Sequence, residues 1–120
     1  MAERWRLVVR DGASVRKSSW PTLPEALDQQ QAETVEAANR PEVKAIDLKV
    51  RDFEPADQVV MRAEIKGPQR WVPKVRCGID VRGDGSVRPW IGGAGKKEVE
   101  VRKKETPWLA LRRELGVKKP

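Results

Sequence analysis

The sequence contains no histidine, no tyrosine and a single cysteine, Cys77. Without histidine it lacks the commonest acid and base at neutral pH and the commonest metal ligand in proteins. One cysteine excludes an internal disulfide and a cysteine-rich zinc site, and the missing histidine also excludes Ser-His-Asp and Cys-His catalysis. We therefore expect no catalytic residue, no bound metal and no cofactor, and we expect the protein not to be an enzyme.

Long apolar stretches are also missing. No run approaches the length of about 18 apolar residues that a bilayer-spanning helix requires. The first six residues lead directly into a charged, strand-like segment without the apolar core of a signal peptide. An unpaired thiol suits a reducing compartment. These features predict a cytoplasmic protein without membrane association.

Positive charge is present in excess, and the excess lies late in the chain. The formal net charge is +7, from 25 Lys plus Arg against 18 Asp plus Glu. Residues 67–120 hold 14 basic and six acidic residues, so this segment alone accounts for the imbalance. Such a bias attracts anionic partners such as nucleic acid, although an ordinary solvated surface is an equally good explanation of it.

Local patterns predict a hairpin followed by a helix. Apolar and charged residues alternate from Trp5 to Arg10, Asp11-Gly12 is a hairpin turn signal, and a weaker strand extends from Ala13 to about Ser19. Thr22-Leu23-Pro24-Glu25 is a capping box, which predicts a helix over about 23–38. Its expected inward residues are Leu23, Leu27, Thr34, Val35 and Ala38, with Gln29, Gln30, Gln31, Glu33 and Glu36 mostly outward.

Further alternating segments predict five more strands, at residues 45–54, 59–66, 75–82, 87–91 and 96–104. Thr106, Pro107 and Gly116 delimit a short C-terminal helix. The order β-β-α-β-β-β-β-β-α predicts an α+β fold, with a mainly antiparallel sheet of five to seven strands and helices on one face. We expect one domain over residues 1–116 and a frayed tail over 117–120.

Several short motifs are better explained by structure than by chemistry. The segment Gly92 to Lys97 lacks the spacing of a phosphate-binding Walker A loop and is typical of a hairpin connection. Glu98 and Glu100 alternate with basic residues, so we expect surface ion pairs and no paired-carboxylate site. Cys77 falls on the inward face of a strand, where a buried thiol is expected.

A cluster of cations and tryptophans is the strongest signal for a partner. On the predicted strands, the outward positions include Arg76, Arg88 and Trp90, so neighbouring strands would form one cationic face with an exposed indole. The candidate nucleic-acid-binding residues are Arg70, Lys74, Arg76, Arg82, Arg88, Trp90, Lys96, Lys97, Arg102, Lys103 and Lys104. The alternative places Trp90 in a second core beneath the terminal helix, against Trp108. Whether Trp71 and Trp90 are exposed or buried stays open at this point.

We therefore predict a non-catalytic, small basic module that binds nucleic acid through its C-terminal cationic hairpins. RNA or single strands are slightly favoured over duplex DNA, because Trp90 offers a stacking surface and no helix is an obvious groove reader. The first alternative is a subunit for protein interaction or oligomerisation, which would use the last strand as an open edge or the Trp108 helix. An enzyme that uses carboxylates or a bound metal is the least favoured alternative, and we assign the sequence to no family.

Overall fold

The computed structural model describes residues 5–40, 59–67, 76–92 and 96–117. This part of the chain forms a six-stranded antiparallel sheet with two helices, one long and one short. The elements are β1 (Trp5–Asp11), β2 (Ser14–Trp20), α1 (Leu23–Ala38), β3 (Val59–Lys66), β4 (Arg76–Arg82), β5 (Val87–Gly92), β6 (Lys97–Glu98) and α2 (Pro107–Leu115). The predicted α+β class and order of elements are confirmed, and the strand predicted at 45–54 lies outside the described residues.

The first hairpin and both helices form where the local sequence predicts them. Gly12 has a φ of 61°, a conformation that glycine adopts without a steric penalty, and it opens the two-residue turn between β1 and β2. The Thr22 hydroxyl accepts a hydrogen bond from the Glu25 backbone N–H at 3.3 Å, so α1 begins with a capped first turn. Thr106 caps α2 in the same way, and Gly116 ends it with a φ of 72°.

The sheet order is β2-β1-β3-β4-β5-β6, which places β1 beside β3 although 47 residues separate the two strands in the chain. Leu7 on β1 lies opposite Ile65 on β3, and Ile65 lies opposite Cys77 on β4. Since residues directly opposite each other share a face of the sheet, this row enters the core. Helix α1 packs on β1 to β4, and α2 packs on β4 and β5.

The core lies between this sheet face and the two helices. Its buried residues are Leu7, Val9, Ala26, Leu27, Ala37, Met61, Ala63, Ile65, Cys77, Ile79, Val81, Val99, Ala110 and Leu111. Leu27 and Thr34 are buried as predicted, whereas Val35 and Ala38 are only half-buried. Gln30 was expected to point outward, but it is buried and its amide donates to the Ala63 carbonyl at 2.8 Å. That hydrogen bond satisfies the amide and makes its burial tolerable.

Side-chain hydrogen bonds tie α2 to α1. The Trp108 indole N–H donates to the Thr34 hydroxyl at 2.8 Å. The Arg112 guanidinium is buried and donates to Asp28 Oδ1 at 2.9 Å and to Gln31 Oε1 at 2.8 Å. A buried cation requires such partners, so these bonds fix how the two helices meet. Neither helix of the described residues is long and apolar enough to cross a membrane.

The strand predicted at 96–104 is wrong in its extent, because β6 contains only Lys97 and Glu98. A tight turn replaces its second half. The Glu105 N–H donates to the Arg102 carbonyl at 3.0 Å, and the Arg102 N–H donates to a Glu105 carboxylate oxygen at 2.9 Å. Lys104 adopts a φ of 69°, which a strand does not allow. Alternation along 96–104 predicts that Val99 and Val101 both point inward; Val99 is buried, but Val101 is exposed.

Candidate nucleic-acid interface

The sheet face opposite the helices carries mostly charged side chains, and we call it the polar face. On β1, for example, Arg6, Val8 and Arg10 alternate with the core residues Leu7 and Val9. In the described ranges its cations are Arg6, Arg10, Lys17, Arg62, Lys66, Arg76, Arg82, Arg88 and Lys96, and its carboxylates are Glu64, Asp80 and Glu98. Nine cations against three carboxylates give this face a strong positive potential.

Four cations of the polar face are exposed and form no ion pair with any residue that the structure describes: Arg6, Arg10, Lys17 and Lys66. They lie on β1, β2 and β3. Arg6 lies directly opposite Lys66, and Arg10 lies directly opposite Arg62. Like charges in such cross-strand positions repel each other and destabilise a sheet. An anion bound between them would remove this repulsion.

A buried carboxylate, Asp80, organises the other half of the polar face. Its side chain is 1% exposed and accepts hydrogen bonds from Arg62 Nε at 2.8 Å, Lys96 Nζ at 2.7 Å and the Trp90 indole N–H at 3.0 Å. Burial alone raises the pKa of the Asp80 carboxyl, but the hydrogen bonds from Arg62, Lys96 and Trp90 outweigh that effect and lower the pKa below its usual value. Asp80 is therefore ionised, and its carboxylate connects Arg62, Lys96 and Trp90 through hydrogen bonds.

The ring of Trp90 lies flat on the sheet above Gly78, where a Cβ would overlap it. Three cations approach its ring: Lys96 Nζ lies 5.0 Å, Arg76 Cζ 5.3 Å and Arg62 Cζ 5.9 Å from the ring centroid. These distances are within the range of cation–π attraction. The indole is 2% exposed, so the ring is buried among its neighbours, which include Gly78 and these three basic side chains.

The remaining carboxylates of the polar face also have basic partners. Glu64 is paired with Arg76, and Glu98 lies 3.6 Å from Arg88. Beside Trp90 the surface forms a small cavity of about 210 Å³. Its lining residues are Asp80, Arg82, Arg88, Pro89, Trp90, Lys96 and Glu98. Both carboxylates and cations line this cavity, so its charge is mixed, whereas Glu64 is the one carboxylate among the polar-face positions of β1 to β3 in the described residues.

The structure divides the predicted site residues into three groups. Arg76, Arg82, Arg88, Trp90 and Lys96 share the polar face as predicted. Lys97 lies opposite Ile91 and so points to the helix side of the sheet, and Arg102, Lys103 and Lys104 occupy the loop before α2. Arg70 and Lys74 lie outside the described residues, as does Trp71.

The expectation of an exposed indole at Trp90 is wrong, because the ring is buried. The alternative, which places Trp90 in a second core beneath the terminal helix, correctly predicts that the ring is buried but puts it on the wrong face of the sheet. Trp108 lies on the helix side, bonded to Thr34, whereas Trp90 lies on the polar face. The physical reason is Gly78 directly across the strand pair, which leaves space for a large ring that Asp80 then orients through a hydrogen bond.

The first half of the chain contributes cations to the polar face that the sequence alone did not indicate as site residues. Arg6, Arg10, Arg62 and Lys66 alternate with apolar residues, so their outward direction was visible. The missing information was the pairing of β1 with β3, which brings these cations beside those of β4 and β5. The net charge of residues 1–66 is not positive. The cations of this segment stand out only when the charges of the polar face are counted separately.

No family model, no curated protein and no solved structure matches the chain. Across the part of the chain that the structure describes, no three His, Cys, Asp or Glu side chains come together as a metal site would require. The charges of the polar face are therefore the features from which a function can be argued.

Proposed function

We propose that the protein is a non-catalytic module that binds nucleic acid through its polar face. The observation that supports this most directly is the group of four exposed cations, Arg6, Arg10, Lys17 and Lys66, without ion-pair partners among the described residues. Phosphates neutralised by Lys and Arg release condensed counterions, and this release drives most of the sequence-independent affinity for nucleic acid. These four side chains can bind phosphates without first giving up a carboxylate.

The cross-strand repulsion between Arg6 and Lys66 supports the same function. Two cations directly opposite each other destabilise the free protein, and a phosphate between them converts that repulsion into two attractions. By contrast, Arg62, Arg76 and Lys96 already bind Asp80 or Glu64, so we expect them to shape the surface more than to hold the ligand.

The proposed interface keeps those C-terminal cations that lie on the polar face, Arg76, Arg82, Arg88 and Lys96, and adds the cations of β1, β2 and β3. Contacts to phosphates position a protein on nucleic acid but carry no information about base sequence. We therefore expect binding with little sequence preference.

We place the protein in the cytoplasm, because its one cysteine is an unpaired, buried thiol.

Equilibrium binding of the full chain to fluorescent DNA and RNA oligonucleotides of unrelated sequence, at several salt concentrations, tests this function. We expect the logarithm of the affinity to fall linearly with the logarithm of the salt concentration, with a slope of about −0.9 for each phosphate neutralised. No binding at low salt, or an affinity that salt does not change, contradicts the proposal.

A matched pair of variants locates the interface. The quadruple variant R6Q/R10Q/K17Q/K66Q removes the four unpartnered cations of the polar face. The control K97Q/R102Q/K103Q/K104Q removes the same charge from exposed residues outside the polar-face strand positions. We expect the first variant to lose most of the salt slope and the control to lose little of it. Equal losses would mean that net charge, or the C-terminal segment, carries the binding.

A second candidate function is pairing with a protein partner along β2. This strand forms one edge of the sheet, no described strand pairs with its outer side, and Val15 on it is 47% exposed. Arg16 and Lys17 in its middle hinder such pairing, since charged edge residues keep strands apart. The sites first considered for this role are weaker, because β6 has two residues and the Trp108 indole is bonded to Thr34. Light scattering that detects a strict monomer, with no copurifying protein, would exclude this candidate.

A further inference from the structure

We propose that the nucleic acid bound by the polar face is a duplex and not a single strand; this inference rests on the function proposed above. Cations of the polar face are arranged in two rows that run across the strands. The first row contains Arg6, Lys66 and Arg76, which lie directly opposite one another on β1, β3 and β4. These three positions are neighbours, so the row is continuous over three strands.

The second row lies parallel to the first. Arg10 on β1 is opposite Arg62 on β3, and Arg62 is opposite Asp80, which is opposite Arg88 on β5. On β1 and on β3, the two rows lie four positions apart, with three residues between them. At roughly 3.3 Å per residue the two rows are about 13 Å apart.

Between the rows, the four strands β1, β3, β4 and β5 carry no cation. Their intervening positions are Val8, Glu64, Gly78 and Trp90, which lie opposite one another in that order. Glu64 is paired with Arg76, and Val8, Gly78 and Trp90 carry no charge of their own. Six of the nine cations of the polar face therefore lie in the two rows, and the line between them carries one, Lys17 on the edge strand β2 opposite Val8.

Two parallel lines of phosphates are a property of a duplex, whose backbones border each groove. The major groove of B-form DNA is about 12 Å wide, close to the separation of the two rows. A-form RNA presents a wide, shallow minor groove with phosphates on both sides, so an RNA duplex also presents two lines of phosphates. A single strand has one line of phosphates and would use only one row.

The burial of Trp90 independently disfavours single strands. Proteins that bind single strands stack the bases on exposed aromatic rings, and each stacked base contributes substantially to affinity. The Trp90 ring is 2% exposed, with Gly78, Arg76 and Lys96 close to it, so a base cannot stack on it. Trp5 and Trp20, the other rings on the described strands, share the parity of the core residue Leu7. In the described ranges, the polar face thus offers no stacking surface.

The test compares four probes of matched sequence and length: a blunt DNA duplex, the corresponding RNA duplex, and the separated strands of each. We expect at least one duplex to bind roughly tenfold more tightly than its separated strands, a difference of about 1.4 kcal/mol. Preference for the DNA or the RNA duplex supports the inference in either case and identifies the groove that fits.

Two double variants test the two rows separately. R6Q/K66Q weakens the first row, R10Q/R88Q weakens the second, and K97Q/K103Q is the matched control outside both rows. For the duplex, each row variant should reduce the magnitude of the salt slope by about 2, since each phosphate contact contributes about 0.9, and the control should leave it unchanged. Circular dichroism and melting of each variant verify that the fold is intact.

The results separate failure of this inference from failure of the proposed function. Separated strands that bind as tightly as the duplexes, or a salt slope that responds to only one row, would overturn the duplex inference and leave nucleic-acid binding intact. Absence of binding to all four probes would overturn the proposed function itself.

Discussion

Replacing Trp90 by alanine tests whether the polar face contains a buried apolar centre. The indole is 2% exposed, its ring lies above Gly78, and three cations approach it from other strands and from the loop before β6. The substitution leaves a space where the ring was and removes one of the hydrogen bonds to Asp80. Both effects destabilise the folded state.

The magnitude follows from these contacts. Replacing a buried Trp or Phe by alanine costs about 3–5 kcal/mol, of which part arises from the space left behind. Arg62, Arg76 and Lys96 are long and flexible, so they can partly fill that space, and we expect a loss near the lower limit, about 3 kcal/mol. Trp90→Phe keeps a ring above Gly78 but loses the hydrogen bond to a charged group, so about 1.5–3 kcal/mol should be lost.

Urea unfolding, followed by circular dichroism, measures these losses as shifts of the midpoint at unchanged slope. Trp20→Ala is the matched control, because Trp20 is half-buried on the edge strand and its N–H is bonded to Ser18 within the same strand. A loss below about 1 kcal/mol for Trp90→Ala, or one no larger than for Trp20→Ala, would refute the burial argument.

Three further predictions concern single positions. Gly78→Ala should lower the free energy of unfolding, measured by the same urea unfolding, by about 1–3 kcal/mol, since its Cβ would overlap the Trp90 ring. Gly92→Ala, whose Cβ would have its nearest neighbours at 3.3 Å and 3.4 Å, should cost less. Burial raises the pKa of the Cys77 thiol to about 12, so native protein should not react with a thiol reagent at pH 8 until it unfolds; rapid labelling of native protein would contradict this. Hydrogen bonds from Arg113 and from the Arg102 N–H lower the pKa of Glu105 from 4.5 to about 2, so the unfolded chain takes up this proton first on acidification. The ionised Glu105 carboxylate therefore stabilises the fold above pH 4.5, and this stabilisation is lost as the pH falls towards 2. The difference in free energy of unfolding between wild type and Glu105→Gln should become smaller over that pH range. A difference that does not change with pH would contradict the lowered pKa of Glu105.

Features set by neighbouring residues were predictable from the sequence. The start of α1 follows from Thr22 and Glu25, and both ends of α2 follow from Thr106 and Gly116, because capping depends on residues within one turn. The hairpin at Gly12 is equally local. Alternation also predicted core side chains on β1, β3 and β4, such as Leu7, Ile65 and Cys77, but it wrongly placed Val101 in the core.

Features set by distant parts of the chain were not predictable in the same way. The alternation places Arg10 and Arg62 outward, but no local signal indicates that they lie opposite each other. The same holds for Trp90, whose burial depends on Gly78 across the strand pair and on Arg62 from a third strand. The polar face is a product of strand order, which a single sequence leaves open.

The attachment of α2 bears on how the chain folds during synthesis. The helix side of β4 and β5 is covered by α2, which is fixed to α1 through Arg112 and Trp108. A nascent chain that has emerged only as far as β6 therefore exposes apolar side chains of the central strands, a condition that favours aggregation. The sheet can begin to assemble early, but the native state is accessible only after residues 107–115 have left the ribosome and returned to the first helix.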